Sequence, residues 1–216
     1  MNEIAQKIKF LFLNFDKRER EDSTIYVSDL TSCMRRAFFN IHFNAQPKPT
    51  APMLQGKLFH VALEKVLKSD DCFADAEFEV ECSHDLGNGW TLKGRADVVT
   101  DVAIFEFKFT KGTRYNQAST MYFAQLSAYL KMIGKQRGYL VLVDRETFNV
   151  DVLEVSEIDD LWNAVLQDAN ILIDHLQRGS IPIYKSPLFS WECQHCSWNI
   201  VCSNLKGVGV NGKESV

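Results

Sequence analysis

At 216 residues, 46% of them hydrophobic, with 15 phenylalanines and only five prolines, the chain can bury a sizeable core and lacks the bias of a disordered or collagen-like sequence. A formal net charge of -4 argues against a protein that coats nucleic acid through many phosphate contacts; a local basic groove is still compatible with Lys17, Arg18 and Arg20, with Arg35 and Arg36, or with Lys108, Lys111 and Arg114. Six cysteines without a secretory signal indicate a reducing, cytoplasmic setting and metal or redox use ahead of disulfides, and the stretch 4–15, broken by Lys7 and Lys9, is too short and too charged to span a bilayer.

In chain order, Ser28 is a plausible helix cap, and a helix is expected from it through Leu30, Cys33 and Phe38, so that Cys33 rides on a helix. Three prolines make 46–52 a loose stretch. Leu54, Leu58, Val61, Leu63 and Leu67 recur at helical spacing over 54–68, and the alternation of 76–82 reads as a strand. Leu86-Gly87-Asn88-Gly89 is a turn signal, followed by strands over 90–99 and 103–109 joined by a short turn near Thr100 and Asp101. A helix over 116–133, stopped by Gly134, leads to a short apolar strand at 138–143, a further strand at 148–155 and a long helix at 161–176. Helix, three strands, helix, strand implies a mixed α/β sandwich with one parallel crossover in an otherwise antiparallel sheet.

The two central strands carry the chemistry. Glu106 and Lys108 are two apart and share a face. With a two-residue turn at Thr100-Asp101, Asp97 lies opposite Ile104 and diagonal to Glu106, about 7–8 Å away at the backbone, so one divalent cation could bridge the two carboxylates. Oxygen donors suit Mg2+ or Mn2+, which can polarise a phosphodiester, while Lys108 would orient or deprotonate the attacking water or steady the charge developing on phosphorus. An Asp-x8-Glu-x-Lys spacing arises by chance on surface hairpins. Here, however, Glu106 and Lys108 alternate with Phe105, Phe107 and Phe109, which marks a buried strand whose charges need partners. His60, in the spacing Gly56-x3-His60, could add an imidazole ligand and tilt preference toward Mn2+. Gln125 and Tyr129, four apart, share one helix face, a spacing that an ordinary amphipathic core helix would also give.

Cys33 and the cluster Cys193-x2-Cys196-x5-Cys202 can hold one metal centre only if the two ends of the chain meet. Four thiolates suit an iron-sulfur cluster, and zinc is the rival. Cys72 and Cys82 lack metal-like spacing and read as buried small hydrophobes.

Taken in order, Cys33, His60, Gly94-Arg95-Ala96-Asp97, Glu106-Phe107-Lys108, Gln125-x3-Tyr129 and Cys193-x2-Cys196-x5-Cys202 resemble the RecB-like branch of the PD-(D/E)XK nucleases, and within it the CRISPR-associated iron-sulfur exonucleases. The resemblance spans about residues 28–203. It implies a restriction-endonuclease-like core at 54–180, a helical N-terminal region at 1–53 contributing one cluster cysteine, and a cysteine-rich segment at 181–216 closing an iron-sulfur-clipped helical lobe. It further implies a metal held by His60, Asp97, Glu106 and the main-chain carbonyl of Phe107, Lys108 as the catalytic lysine, and Gln125 and Tyr129 lining the DNA path. The cofactors implied are Mn2+ or Mg2+ and an iron-sulfur cluster, with [4Fe-4S] ahead of [2Fe-2S]. The activity implied is exonucleolytic cleavage of DNA, chiefly single-stranded, in CRISPR adaptation beside integrase subunits. The alternatives are a general repair or recombination nuclease and a non-catalytic iron-sulfur DNA-binding scaffold. Ala96 stands where the superfamily's name has proline.

Overall fold

Ile104–Thr110 is rich in the β-branched and aromatic residues that suit pleated, half-buried strands, and Arg137–Asp144 and Val150–Ser156 carry runs of valine and leucine. The computed structural model describes residues 3–14, 20–45, 50–111, 117–156, 159–183 and 190–205. Its strands are β1 (Thr24–Tyr26), β2 (Glu77–Gly87), β3 (Trp90–Val99), β4 (Ile104–Thr110), β5 (Arg137–Asp144) and β6 (Val150–Ser156), all in one sheet. Its helices are α1 (Glu3–Asn14), α2 (Val27–Leu30), α3 (Met34–His42), α4 (Ala51–Leu67), α5 (Gln117–Ile133), α6 (Asp159–Arg178), α7 (Ser190–Gln194) and α8 (Asn199–Asn204). Among the described residues no helix is long and apolar enough to cross a membrane.

β3 organises the sheet. β2 runs antiparallel along one of its edges, while the other edge is shared: β1 pairs in parallel with Thr91–Lys93, and β4 pairs antiparallel with Val98 and Val99. β4 then pairs in parallel with β5 through the α5 crossover, and β6 closes the edge antiparallel to β5. One face carries α2, α3, α5 and α6, with Leu30, Met34, Phe38, Leu126, Leu130 and Leu172 packed on Leu92, Ala96, Leu140 and Leu142. Burying each such leucine contributes about 1.5–3 kcal/mol. The opposite face carries α4, whose Phe59, Leu63 and Leu67 cover Val98, Phe107, Val141 and Val143. α5 approaches the sheet closely because Gly94 and Gly138 lack side chains there: a Cβ on Gly94 would collide with the Tyr129 ring, and one on Gly138 would lie 3.0 Å from Leu126 Cδ1.

The mixed sheet and its parallel crossover agree with the sequence reading, but the remainder is not wholly antiparallel, since β1 also pairs in parallel with β3, and several details differ. The single helix expected from Ser28 is two short helices, and Cys33 is the N-cap of α3 instead of a residue within a helix. Tyr26, not Ser28, caps α2. The loose proline stretch ends earlier, since Pro52 sits in the first turn of α4, where its missing N–H costs nothing; residues 46–49 lie outside those described. The β3–β4 turn has four residues, 100–103, closed by the Thr100 N–H donating to Ala103 O (2.9 Å). The register Val98↔Phe105 carries Asp97 opposite Glu106 in place of Ile104. Because the turn is longer by two residues, the pairing parity is unchanged. β1, with its parallel pairing to β3, was not foreseen; three residues carry too little pattern to be seen.

Candidate active site and cysteine cluster

β3 and β4 fork after the Val98–Phe105 pair, and the two carboxylates sit in the fork. Where the ladder would continue, the Phe107 N–H donates to Asp97 Oδ2 at 2.7 Å. Glu106 is only 2% exposed. Its Oε1 accepts from Lys108 Nζ at 2.6 Å, and its Oε2 is buried with no hydrogen-bond partner. Lys108 Nζ also donates to Gln125 Oε1 (2.9 Å) and lies 5.1 Å from the Tyr122 ring centroid, and Gln125 Nε2 donates to Tyr129 OH (2.7 Å). From α4, His60 Nδ1 lies 3.4 Å from Asp97 Oδ1.

Burial, reinforced by each other's charge in the case of Glu106, pushes both carboxyls up to about 7, against the opposing pull of Lys108. Burial lowers the His60 pKa, as does Lys108, which favours the neutral imidazole that a metal requires. For Lys108, burial acts to lower the pKa, but Glu106 and Asp97 outweigh it and leave the value raised, so the side chain stays an ammonium. The donor chemistry fits a divalent cation: oxygens that resist ionising alone, one of them unpartnered, beside a neutral nitrogen.

His60, Asp97, Glu106, Lys108, Gln125 and Tyr129, picked out in sequence, all converge here. Glu79 was missed. One of its carboxylate oxygens lies within 4.8 Å of ligand atoms of both His60 and Asp97. Simple alternation of Glu77-Phe78-Glu79-Val80-Glu81 places it on the solvent side; what brings it inward is a left-handed φ of 55°, which alternation does not reveal.

The four expected cysteines lie near enough to perturb one another's thiols, although among the described residues only His60, Glu79 and Asp97 have ligand atoms all within 4.8 Å of one another. Burial raises the Cys193 thiol, and Cys33, Cys202 and Cys196 raise it further. Cys196 is likewise raised by burial, eased by the Trp198 N–H and by Arg36. Arg35 Nη1 donates to Cys202 Sγ (3.2 Å), and Arg35 Nε to Pro182 O (3.2 Å). Trp198 Nε1 donates to Asn40 Oδ1 (2.8 Å), and its ring packs 5.2 Å from Phe39. All six cysteines are free thiols. Cys82 is partly buried, its thiol pushed up to about 12 by burial and then by Glu106, whereas Cys72 is exposed, not buried as expected. Among the basic clusters, Arg20 makes a two-pronged pair with Asp29 (2.9 Å each) and Lys111 pairs with Glu146 (3.3 Å), so neither is a free groove cation; Lys17, Arg18 and Arg114 lie outside the described residues.

The Saccharolobus solfataricus CRISPR-associated exonuclease Cas4 is 29% identical over 194 residues, covering 85% of this chain and 89% of that protein. The crystal structure of SSO0001 superposes with a TM-score of 0.72 at 25% identity over 93% of this chain and 96% of that one. An alkaline exonuclease from Laribacter hongkongensis shares the fold, with a TM-score of 0.53 at 10% identity over 73% of this chain and 89% of that one. The family model for the DNA replication factor Dna2 matches residues 23–88, and that for the PD-(D/E)XK nuclease superfamily matches residues 66–203, which include Asp97, Glu106 and Lys108. The chain is therefore a nuclease, and it belongs to the PD-(D/E)XK superfamily.

Proposed function

We propose that the chain is a divalent-metal-dependent DNA exonuclease that acts mainly on single-stranded ends and trims DNA in CRISPR adaptation. The observation that carries the catalytic part is Glu106, buried within the electrostatic reach of Asp97 and His60, with one oxygen unpartnered and the other tied to Lys108. His60, Asp97, Glu106 and the Phe107 carbonyl would hold Mn2+ or Mg2+, which when bound supplies Lewis acidity to a scissile phosphodiester. Lys108, charged and clamped between Glu106 and Gln125, orients the attacking water and steadies negative charge on phosphorus; its raised pKa disfavours a role as general base. Tyr129 holds Gln125, and Gln125 holds Lys108. The water oxygen bonds to phosphorus and gives up a proton to solvent, the P–O bond to the departing sugar breaks, and that sugar oxygen takes a proton from solvent, so one water is consumed per ester cleaved.

The link to CRISPR is supported by the similarity to the CRISPR-associated exonuclease Cas4, while adaptation and integrase subunits as partners are what the family resemblance of the sequence implies. The partial match to the Dna2 model is what favours the second reading, a nuclease of general DNA replication or repair. Cys33, Cys193, Cys196 and Cys202 would bind an iron-sulfur cluster, [4Fe-4S] before [2Fe-2S], with Arg35 and Arg36 offsetting the thiolate charge. The cluster would join an N-terminal region (1–53) and a C-terminal segment (181–216) into a lobe beside the nuclease core (54–180). Incubating anaerobically purified protein and Mn2+ with single- and double-stranded DNA labelled at either end tests this. Progressive shortening from single-stranded ends, with iron and acid-labile sulfide in the protein, is expected. Cutting confined to duplex interiors, or zinc in place of iron and sulfide, would contradict it.

A further inference from the structure

We infer that Glu79 is a further ligand of the divalent cation, delivered from β2 by a reversal of the pleat, with Arg95 as its counter-ion when the metal is absent. This rests on reading His60, Asp97 and Glu106 as the metal centre.

In a regular strand, residues two apart share a face. Phe78 packs with the α4-side cluster, but Val80 packs with the α5-side cluster. On β3 the same exchange separates Val98 from Ala96. Both changes of side occur at one rung, Glu79 and Asp97, and that rung is missing from a ladder whose register is otherwise continuous from Glu77↔Val99 to Asp85↔Thr91. Glu79 supplies the kink by adopting φ 55°, a left-handed conformation that side-chain-bearing residues seldom hold. A strained residue in mid-strand persists where its surroundings enforce it, commonly at ligand sites.

The kink sends the Glu79 carboxylate into the cleft it shares with His60, Asp97, Val98 and Phe107. Ligand atoms of Glu79, His60 and Asp97 lie within 4.8 Å of one another, although the three residues come from β2, α4 and β3. Ligand atoms this close together, two oxygens and a nitrogen, make a set that could close on one hard divalent cation. Glu106, whose Oε2 is buried without a hydrogen-bond partner, is electrostatically coupled to Asp97 and His60 of this trio, so a further carboxylate lies within reach of the same charges. Arg95 Nε, 2.6 Å from Glu79 Oε2, holds the carboxylate meanwhile.

The test is Mn2+ titration followed by electron paramagnetic resonance on wild type, E79Q, R95Q, the double variant and E106Q. E79Q should bind Mn2+ at least about tenfold more weakly. R95Q should bind more tightly than wild type, because the ion no longer competes with the guanidinium, and that gain should vanish in the double variant. Wild-type affinity in E79Q, or an equal R95Q gain with and without Glu79, overturns the inference. Should E79Q fail to fold, E79D decides: reduced affinity supports the proposal and unchanged affinity contradicts it. A wild type that binds no Mn2+ removes the metal centre itself, whereas loss in E106Q alone leaves that centre standing and removes only Glu79 from it.

Discussion

Glu106 and Asp97 occupy a region where an ionised carboxylate is poorly solvated, and this makes their protonation part of the folding equilibrium. Their ordinary values are 4.5 and 3.8, and both are raised in the fold to about 7. Between those limits the folded protein holds protons that the unfolded chain has released. Their contribution to stability is therefore complete below about pH 4 and is lost as pH rises through about 7. Thermal melting of the divalent-metal-free protein should show this decline, and Glu106→Gln should flatten it and melt higher than wild type at pH 8, since the glutamine carries no charge. For a chain of this size about 1 kcal/mol corresponds to about 2–4 °C. A variant that melts below wild type at pH 8 would contradict the account. At the same scale, Lys108→Met should lower kcat by about 100-fold or more without weakening Mn2+ binding, because an ammonium that serves the transition state repels the ion. Equal loss of kcat and of Mn2+ affinity would instead make Lys108 a support for the metal ligands.

Elements decide which residues meet. The Glu106–Lys108 pairing was legible because β4 alternates charge with phenylalanine over its length, and a strand of that pattern has one polar face. The turn length was wrong by two residues, an even error that keeps the parity of the pairs Val98↔Phe105 and Val99↔Ile104, but the shared face expected for Asp97 and Glu106 did not foresee the change of side in β3 at Asp97. The reversal at Glu79 and Asp97 was not legible, because it depends on a backbone angle that glutamate seldom adopts. β1 was hidden by its length, and its position beside β3 depends on distant packing. At Gly94 the absence of a side chain lets α5 approach the sheet closely. Gly94→Ala would drive a methyl group into the Tyr129 ring, whose Cδ1 would be 3.0 Å away, and so disturb the chain through Gln125 to Lys108. It should cost about 1–3 kcal/mol and lower kcat while leaving Mn2+ affinity intact. Wild-type melting and turnover in this variant would show that the Tyr129 contact is slack.

Across the whole molecule the two ends of the chain are held together by α3 and the segment 190–205. Cysteine spacing alone demanded that meeting, since one early and three late thiols can serve a single centre in no other way. The aromatic and polar half of the clasp was not legible: Trp198 reaches Phe39 and Asn40, residues 158 or more positions away, and nothing in the spacing specifies them. If the thiols carry a cluster, Cys196→Ala should lose iron and melting temperature together. Trp198→Ala should weaken the same clasp by about 1–3 kcal/mol while sparing the thiols. Iron loss in Cys196→Ala with unchanged melting would make the centre dispensable to the fold.

The central claim is that the Asp97–Glu106–Lys108 fork is where DNA is cut. The direct measurement is the rate at which the protein shortens end-labelled single-stranded DNA in Mn2+, comparing wild type with Glu106→Gln after both are shown to be folded. The account predicts brisk cleavage by wild type and a loss of about 1,000-fold or more in the variant. A variant that cuts within tenfold of wild type would place the chemistry elsewhere.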